Sequence, residues 1–283
     1  TEMIAEVMQF GYIKAPNSTF NEIHQVPPAS VASWRGGKTT LSTYWAADFE
    51  TKITISYEEA LETTKDLIEA AVSRRLISER PLGSFLSGGY DSTVVTAYMA
   101  KLMQEKVQTY SIGFHSAQYN EAHHAKQVAN FLGTNHHEEI LSPDPVLVAE
   151  KIARVLDQPL GDSSIVPTYL LAKFAREKLI VALGGDGGDE VFGGYDRYLA
   201  TPILQGLNPI LGFAKIGLGL VGRKDLKNGR KISRASSQLN RKDSLAHRFS
   251  SIHSLAQPKD LSTLLVPALN STIALGRFID EFN

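Results

Sequence analysis

The sequence predicts a doubly wound α/β fold, a parallel sheet with helices on both faces, followed by a mainly helical C-terminal part. Three observations carry this. Short apolar runs alternate with helix-length amphipathic runs between Ser56 and Leu183. Leu179-Ile180-Val181-Ala182-Leu183 is apolar without a break, as a strand covered on both faces should be. Two of the apolar runs end directly in glycine-rich turns that carry acids, and ligands of open α/β sheets sit at the carboxyl ends of strands.

The elements follow in order. Residues 1–50 read as irregular. Phe10 to Pro16 and Val26 to Ser30 are rich in turn formers, and Trp34, Tyr44 and Trp45 show no periodicity. This stretch is expected to be a connecting segment wrapped on a neighbour. The chain opens inside a helix-like run with no initiator Met, as a piece of something longer would. A helix starts at Ser56, with Glu59 placed for a capping box. Leu61, Leu67, Ile68, Ala71, Val72 and Leu76 continue it at helical spacing, and Arg80-Pro81 closes it. A strand follows at Leu82 to Leu86, then a loop and a helix from Ser92 to about Gln104. Val107 to Gly113 is the next strand, with Tyr110 and Ile112 on one face. Asn120-Glu121 starts a helix that Gly133 ends, and His136 to Leu141 is a short strand. Ser142-Pro143 opens a helix running to about Leu156. Residues 157–162 are a loop, and Ser163 or Ser164 begins a helix reaching about Lys178. After Tyr198 the pattern is helical and mixed.

Composition sets bounds. With 283 residues, 43% of them hydrophobic, the chain can bury a sizeable core. Its net charge of -1 gives no basic face for nucleic acid. With no cysteine, disulfides, thiolate metal sites and a Cys nucleophile are excluded within these residues, which is compatible with a cytoplasmic setting. No secretory signal is visible. The longest apolar stretch, Leu207 to Gly222, is interrupted by Asn208, Pro209 and Lys215, so no membrane span is expected.

The chemistry is concentrated in two turns. Ser87-Gly88-Gly89-Tyr90-Asp91-Ser92 lies between a strand and a helix. Bare amides there, with the positive end of the helix dipole, suit phosphate. Ser87, Ser92 and Thr93 add hydroxyls. The second turn, Gly184-Gly185-Asp186-Gly187-Gly188-Asp189-Glu190, continues through Val191-Phe192 to Gly193-Gly194. Six glycines in eleven residues are entropically costly, which makes sense where backbone lies close to a ligand. Carboxylates beside polyphosphate imply an intervening metal. Mg²⁺ needs only one or two of them, and Asp91 is the natural partner of Asp189.

These residues resemble the synthetase domain of the glutamine-hydrolysing asparagine synthetase family. Ser87-Gly88-Gly89-Tyr90-Asp91-Ser92 matches the pyrophosphate loop of the ATP-pyrophosphatase superfamily, and the run from Gly184 to Tyr198 matches the second signature of the family. Asp157-Gln158-Pro159, Asp162-Ser163-Ser164, Pro167-Thr168-Tyr169 and the entry segment at Phe10 to Pro16 are also similar. The resemblance implies an adenine nucleotide alpha hydrolase-like fold. It implies an enzyme that adenylates a carboxylate, aspartate first, releases pyrophosphate, and transfers ammonia to give an amide. Ser87, Gly88, Gly89, Asp91 and Ser92 would hold pyrophosphate. Leu86, Ile112, Gly184 and Gly185 would meet adenosine through backbone groups. Asp91 and Asp189 would bind Mg²⁺, and Asp186 would stand near the adenylated intermediate. The substrates implied are ATP, aspartate or a similar carboxylate, and ammonia delivered by a glutaminase domain that these residues do not contain. A homodimer is left open. The division expected is 1–50 as a connection from that amidotransferase domain, 51–200 as the synthetase domain and 201–283 as a truncated helical extension. Two other readings share the loops: an amide synthetase with another acceptor, of β-lactam synthetase or peptide cyclase type, and a nucleotide-binding module without catalysis.

Other patterns read as bland. Gly37-Lys38-Thr39 lacks the rest of a Walker loop and is expected to be surface loop. Gly217 to Gly222 satisfies GxGxxG without a strand before it or a ribose-binding acid after it. His123-His124 and His136-His137 point apart within each pair and are expected to be solvated or capping rather than zinc ligands. The basic run Arg223 to Arg234 reads as a solvated segment.

Overall fold

The computed structural model describes residues 2–115, 121–142, 144–195 and 198. The expected helical extension at 201–283, with Gly217 to Gly222 and the basic run Arg223 to Arg234, lies outside the described residues. The chain divides into two compact units. One holds Asp48–Val155 and Ser163–Gly194, and the described part of the other is 2–47, 156–162, 195 and 198.

The first of these units contains the sheet. Its elements are α2 (Tyr57–Arg75), β3 (Leu82–Phe85), α3 (Tyr90–Leu102), β4 (Gln108–Phe114), α4 (Ala122–Leu132), β5 (Asn135–Leu141), α5 (Pro145–Val155), α6 (Ile165–Ala175), β6 (Val181–Leu183) and α7 (Gly188–Phe192). All neighbouring strand pairs are parallel, in the order β5-β4-β3-β6. The chain steps outward from β3 to β4 to β5, then returns to the other side of β3. The strand order therefore reverses between β3 and β6.

Local chemistry fixes the helix ends. Ser56 caps α2, its hydroxyl accepting from Glu59 N at 3.1 Å. Gly133, left-handed at φ 69°, ends α4. Helices cover both faces. On one, Val72 of α2 and Met99 of α3 pack with Val107, joined by Leu82 and Leu183, while Leu86 is buried against Ala125 and Ala129 of α4. On the other, Tyr110 packs with Phe85, Phe174, Ala175 and Leu179. A chain of buried hydroxyls ties α3 to β3: Ser84 Oγ meets Thr96 Oγ1 at 2.8 Å, and Thr96 donates to Ser92 O at 2.7 Å.

The hydroxyl of Tyr110 is buried without a hydrogen-bond partner. A buried unsatisfied polar group costs roughly 1–3 kcal/mol. Tyr110→Phe is therefore expected to raise the urea midpoint, with a gain of about 1 kcal/mol.

The second histidine pair differs from the expectation. His136 and His137 are neither solvated nor capping but half-buried in the sheet. His136 sits between Thr109 Oγ1 (3.0 Å from Nδ1) and Ser111 Oγ (3.3 Å from Nε2). His137 stacks on Tyr110 with ring centroids 4.7 Å apart and meets Gln108 Oε1 at 3.0 Å. Burial holds both imidazoles below their ordinary pKa, His136 against the opposing pull of Glu138 and with lesser help from His137 and Lys126, His137 with help from Lys178. The folded protein thus prefers them neutral. Their contribution to stability is complete above the unfolded value near 6.5 and is lost as pH falls through the lower folded values. Denaturant midpoints should fall between pH 7.5 and pH 5, and a His136→Gln, His137→Gln double variant should flatten that slope.

The other unit takes in 2–47 of the stretch expected to be irregular after a helix-like start, and only part of that stretch is irregular. It contains helix α1 (Glu2–Phe10) and an antiparallel hairpin of β1 (Ser30–Arg35) and β2 (Lys38–Thr43). Gly36 and Gly37, at φ 57° and 78°, make the two-residue turn. The expected surface loop at Gly37-Lys38-Thr39 is thus a hairpin turn running into a strand. Within this unit the 156–162 segment is tied to the N-terminal stretch. Gly161 N donates to Gly11 O at 2.6 Å, and Gln25 Nε2 bonds Ile13 O, Asn17 O and Gln158 Oε1. No helix among the described residues is long and apolar enough to cross a membrane.

Candidate functional site

The two glycine-rich turns leave adjacent parallel strands. Leu82, Gly83 and Ser84 of β3 register with Val181, Ala182 and Leu183 of β6, so both turns start at the same edge of the sheet. That edge is the point of strand-order reversal, the place where such sheets open a crevice.

The first turn is closed by its own hydroxyls. Ser92 Oγ receives Ser87 N at 3.2 Å, meets Ser87 Oγ at 2.9 Å and donates to Gly89 O at 3.3 Å. Gly89 N donates to Ser87 Oγ at 3.2 Å. Ser92 is buried. Ser87 and Ser92 therefore shape the loop as well as lining it. Thr93 Oγ1 in the same turn is buried with no hydrogen-bond partner. Of the three hydroxyls expected to serve phosphate, it is the one not engaged within the loop. Gly89 caps α3 with no side-chain bond, so the first amides of that helix meet no cap from Gly89. Tyr90 is 93% exposed at its start.

Leu86 N donates to Tyr110 O at 3.0 Å. Ile112 lies half-buried on β4, two positions beyond Tyr110.

The second turn packs onto the first. A Cβ at Gly185 would lie 2.6 Å from Ser92 N and 2.9 Å from the Asp91 carbonyl carbon, and one at Gly188 would strike the Asp91 carboxylate. The glycine richness predicted from closeness to a ligand thus has another cause first: each loop is the other's nearest neighbour. The Asp91 carboxylate lies against Gly188, the residue preceding Asp189. The carboxylate of Asp189 lies against Gly194, whose N–H donates to Asp189 O at 3.0 Å. Asp186 is exposed and folds back over Gly184, where a Cβ would sit 2.5 Å from its Oδ2.

Sequence reasoning missed α7, whose five residues carry Asp189 and Glu190 in the first turn. Left-handed glycines bound it, Gly187 at φ 89° and Gly193 at φ 68°. Those flanking glycines and first-turn acids were the available signal. It also missed the closeness of α4. A Cβ at Gly88, which stands at φ 85°, would lie 2.7 Å from Ala125 N, the His124 carbonyl carbon and His124 Cβ. No local pattern announces that contact.

Asp91 and Asp189 stand in the turns that follow neighbouring strands β3 and β6, and among the described residues no group of three or more His, Cys, Asp or Glu is placed to hold a metal. Mg²⁺ takes one or two carboxylates and completes its shell with phosphate oxygens and water.

Comparison with known proteins gives a family. Residues 63–272 match the family model described as Asparagine synthase. Asparagine synthetase [glutamine-hydrolyzing] 1 of Bacillus subtilis is 33% identical over 199 residues, covering 70% of this chain and 31% of the relative. Asparagine synthetase [glutamine-hydrolyzing] 3 of the same organism is 27% identical over 220 residues, covering 72% of this chain and 36% of the relative. The chain thus spans about a third of the length of these curated relatives. Among solved structures, an NH3-dependent NAD synthetase from Campylobacter jejuni, in complex with nitrate, aligns with a TM-score of 0.32 and 14% identity over 80% of this chain and 95% of its own.

Proposed function

The chain belongs to the asparagine synthase family, and from that premise we propose that it is the ATP-using part of an amide-forming ligase whose acceptor is aspartate. The carboxylate oxygen of aspartate attacks the α-phosphorus of ATP. The bond to the β-phosphate breaks, and pyrophosphate leaves. Ammonia then attacks the acyl carbon, releasing AMP and giving asparagine. In the relatives' names the nitrogen donor is glutamine, so ammonia is taken to arrive from a glutaminase outside these residues.

Each role falls to named groups. Ser87, Gly88, Gly89, Asp91 and Ser92 hold the pyrophosphate portion. Backbone groups of Leu86, Ile112, Gly184 and Gly185 bind adenosine. Asp91 and Asp189 would hold Mg²⁺, which would supply charge neutralisation on the phosphates. Asp186 lies beside the acyl-adenylate. Positioning and charge neutralisation supply most of the rate gain in such a step.

The observation that carries the reading is the seating of Gly185 and Gly188 against Ser92 and Asp91 at the strand-order reversal. The test is exchange of labelled pyrophosphate into ATP. Exchange that requires aspartate is the expected result. ATP binding with no exchange under any carboxylate would leave a nucleotide-binding module and remove the ligase reading.

A further inference from the structure

We propose that His124 is an additional phosphate-contacting residue of this site, donating from its imidazole to the β- and γ-phosphates of ATP and then to the departing pyrophosphate. The inference rests on the reading of residues 87–92 as the phosphate loop.

Its first support is charge. The two turns together present Asp91, Asp186, Asp189 and Glu190 and contain no Lys or Arg between Ser87 and Ser92 or between Gly184 and Tyr195. A polyphosphate held there needs positive donors from another element, beyond a single divalent ion. The second support is contact. Gly88 turns through the left-handed region at φ 85°, and its open side is filled by the first turn of α4, with His124 Cβ and the His124 carbonyl carbon each 2.7 Å from where a Cβ would sit. The His124 side chain therefore leaves α4 where the loop bends.

The third support is availability. His124 is exposed, and among the described residues its ring makes only an edge contact with His123, at 5.8 Å between centroids. The other adjacent pair differs: His136 and His137 have ring nitrogens engaged by Thr109, Ser111 and Gln108. Among these four histidines, His124 combines an exposed ring with a place against the loop.

The experiment measures binding of magnesium pyrophosphate and, separately, of AMP to the chain and to His124→Ala by calorimetry. Pyrophosphate affinity is expected to fall about tenfold, the size of one lost charge-assisted hydrogen bond, with AMP affinity unchanged. His124→Lys should recover most of the pyrophosphate affinity. Unchanged pyrophosphate binding in His124→Ala would overturn this inference and leave the phosphate-loop reading standing. Equal losses for both ligands would also overturn it, because they would assign His124 to packing of the loop. A chain that binds AMP but no pyrophosphate would end both readings.

Discussion

Gly185→Ala is expected to abolish nucleotide binding and to lower folding stability by about 1–3 kcal/mol, the usual cost of overpacking. The added methyl would stand 2.6 Å from Ser92 N and 2.9 Å from the carbonyl carbon of Asp91. These are backbone atoms at the start of α3, so no side-chain rotation can relieve the clash. The second turn must lift away from the first, or α3 must shift along its own axis. Either movement separates the amides of one loop from the carboxylates of the other. Gly133→Ala separates this effect from ordinary glycine strain. It also places a side chain at positive φ, yet nothing lies within 4 Å of its Cβ. It should cost about 1–2 kcal/mol through the left-handed backbone alone and leave binding intact. Pyrophosphate calorimetry alongside urea unfolding reads both terms.

Asp91→Asn is the second large effect, and it isolates charge from shape. The amide occupies the space of the carboxylate against Gly188, so stability should move by no more than about 0.5 kcal/mol. Metal-assisted phosphoryl chemistry draws several kcal/mol from charge stabilisation, and each 1.36 kcal/mol is a factor of ten. Aspartate-dependent exchange should therefore fall by at least about a hundredfold. Raising Mg²⁺ should recover part of the loss if affinity for the ion is what the variant lacks. Undiminished exchange would remove Asp91 from the metal site.

The parallel sheet was legible because strand-length and helix-length runs alternate, because Leu179 to Leu183, which reaches into β6, is apolar without a break, and because β3 and β6 each lead into a glycine-rich turn. Helices α2 to α6 were legible from apolar spacing and from caps such as Ser56 and Gly133. Three things were hidden. Helix α7 has five residues, too few for any periodicity to declare itself. The β1–β2 hairpin has nearly every residue of both strands exposed, so the alternation that marks a half-buried strand is missing, and only Gly36-Gly37 signalled its turn. The environments of His124, His136 and His137 arise from pairing between elements, which spacing along one element does not encode. The site was legible in its residues and not in its reasons. The glycines were predicted to admit a ligand, whereas Gly185 and Gly188 first admit the neighbouring loop.

The pairing of β3 with β6 has a kinetic consequence. Leu82 and Val181 are about a hundred residues apart in the chain, and closing so long a loop is slow compared with local pairing. β3, β4 and β5 can zip together from near neighbours while β6 is still searching. Such an intermediate would have most of its sheet but only one wall of the crevice. On the proposed reading, affinity for nucleotide would appear with the last strand to dock, and a bound nucleotide would shift the equilibrium toward the docked strand.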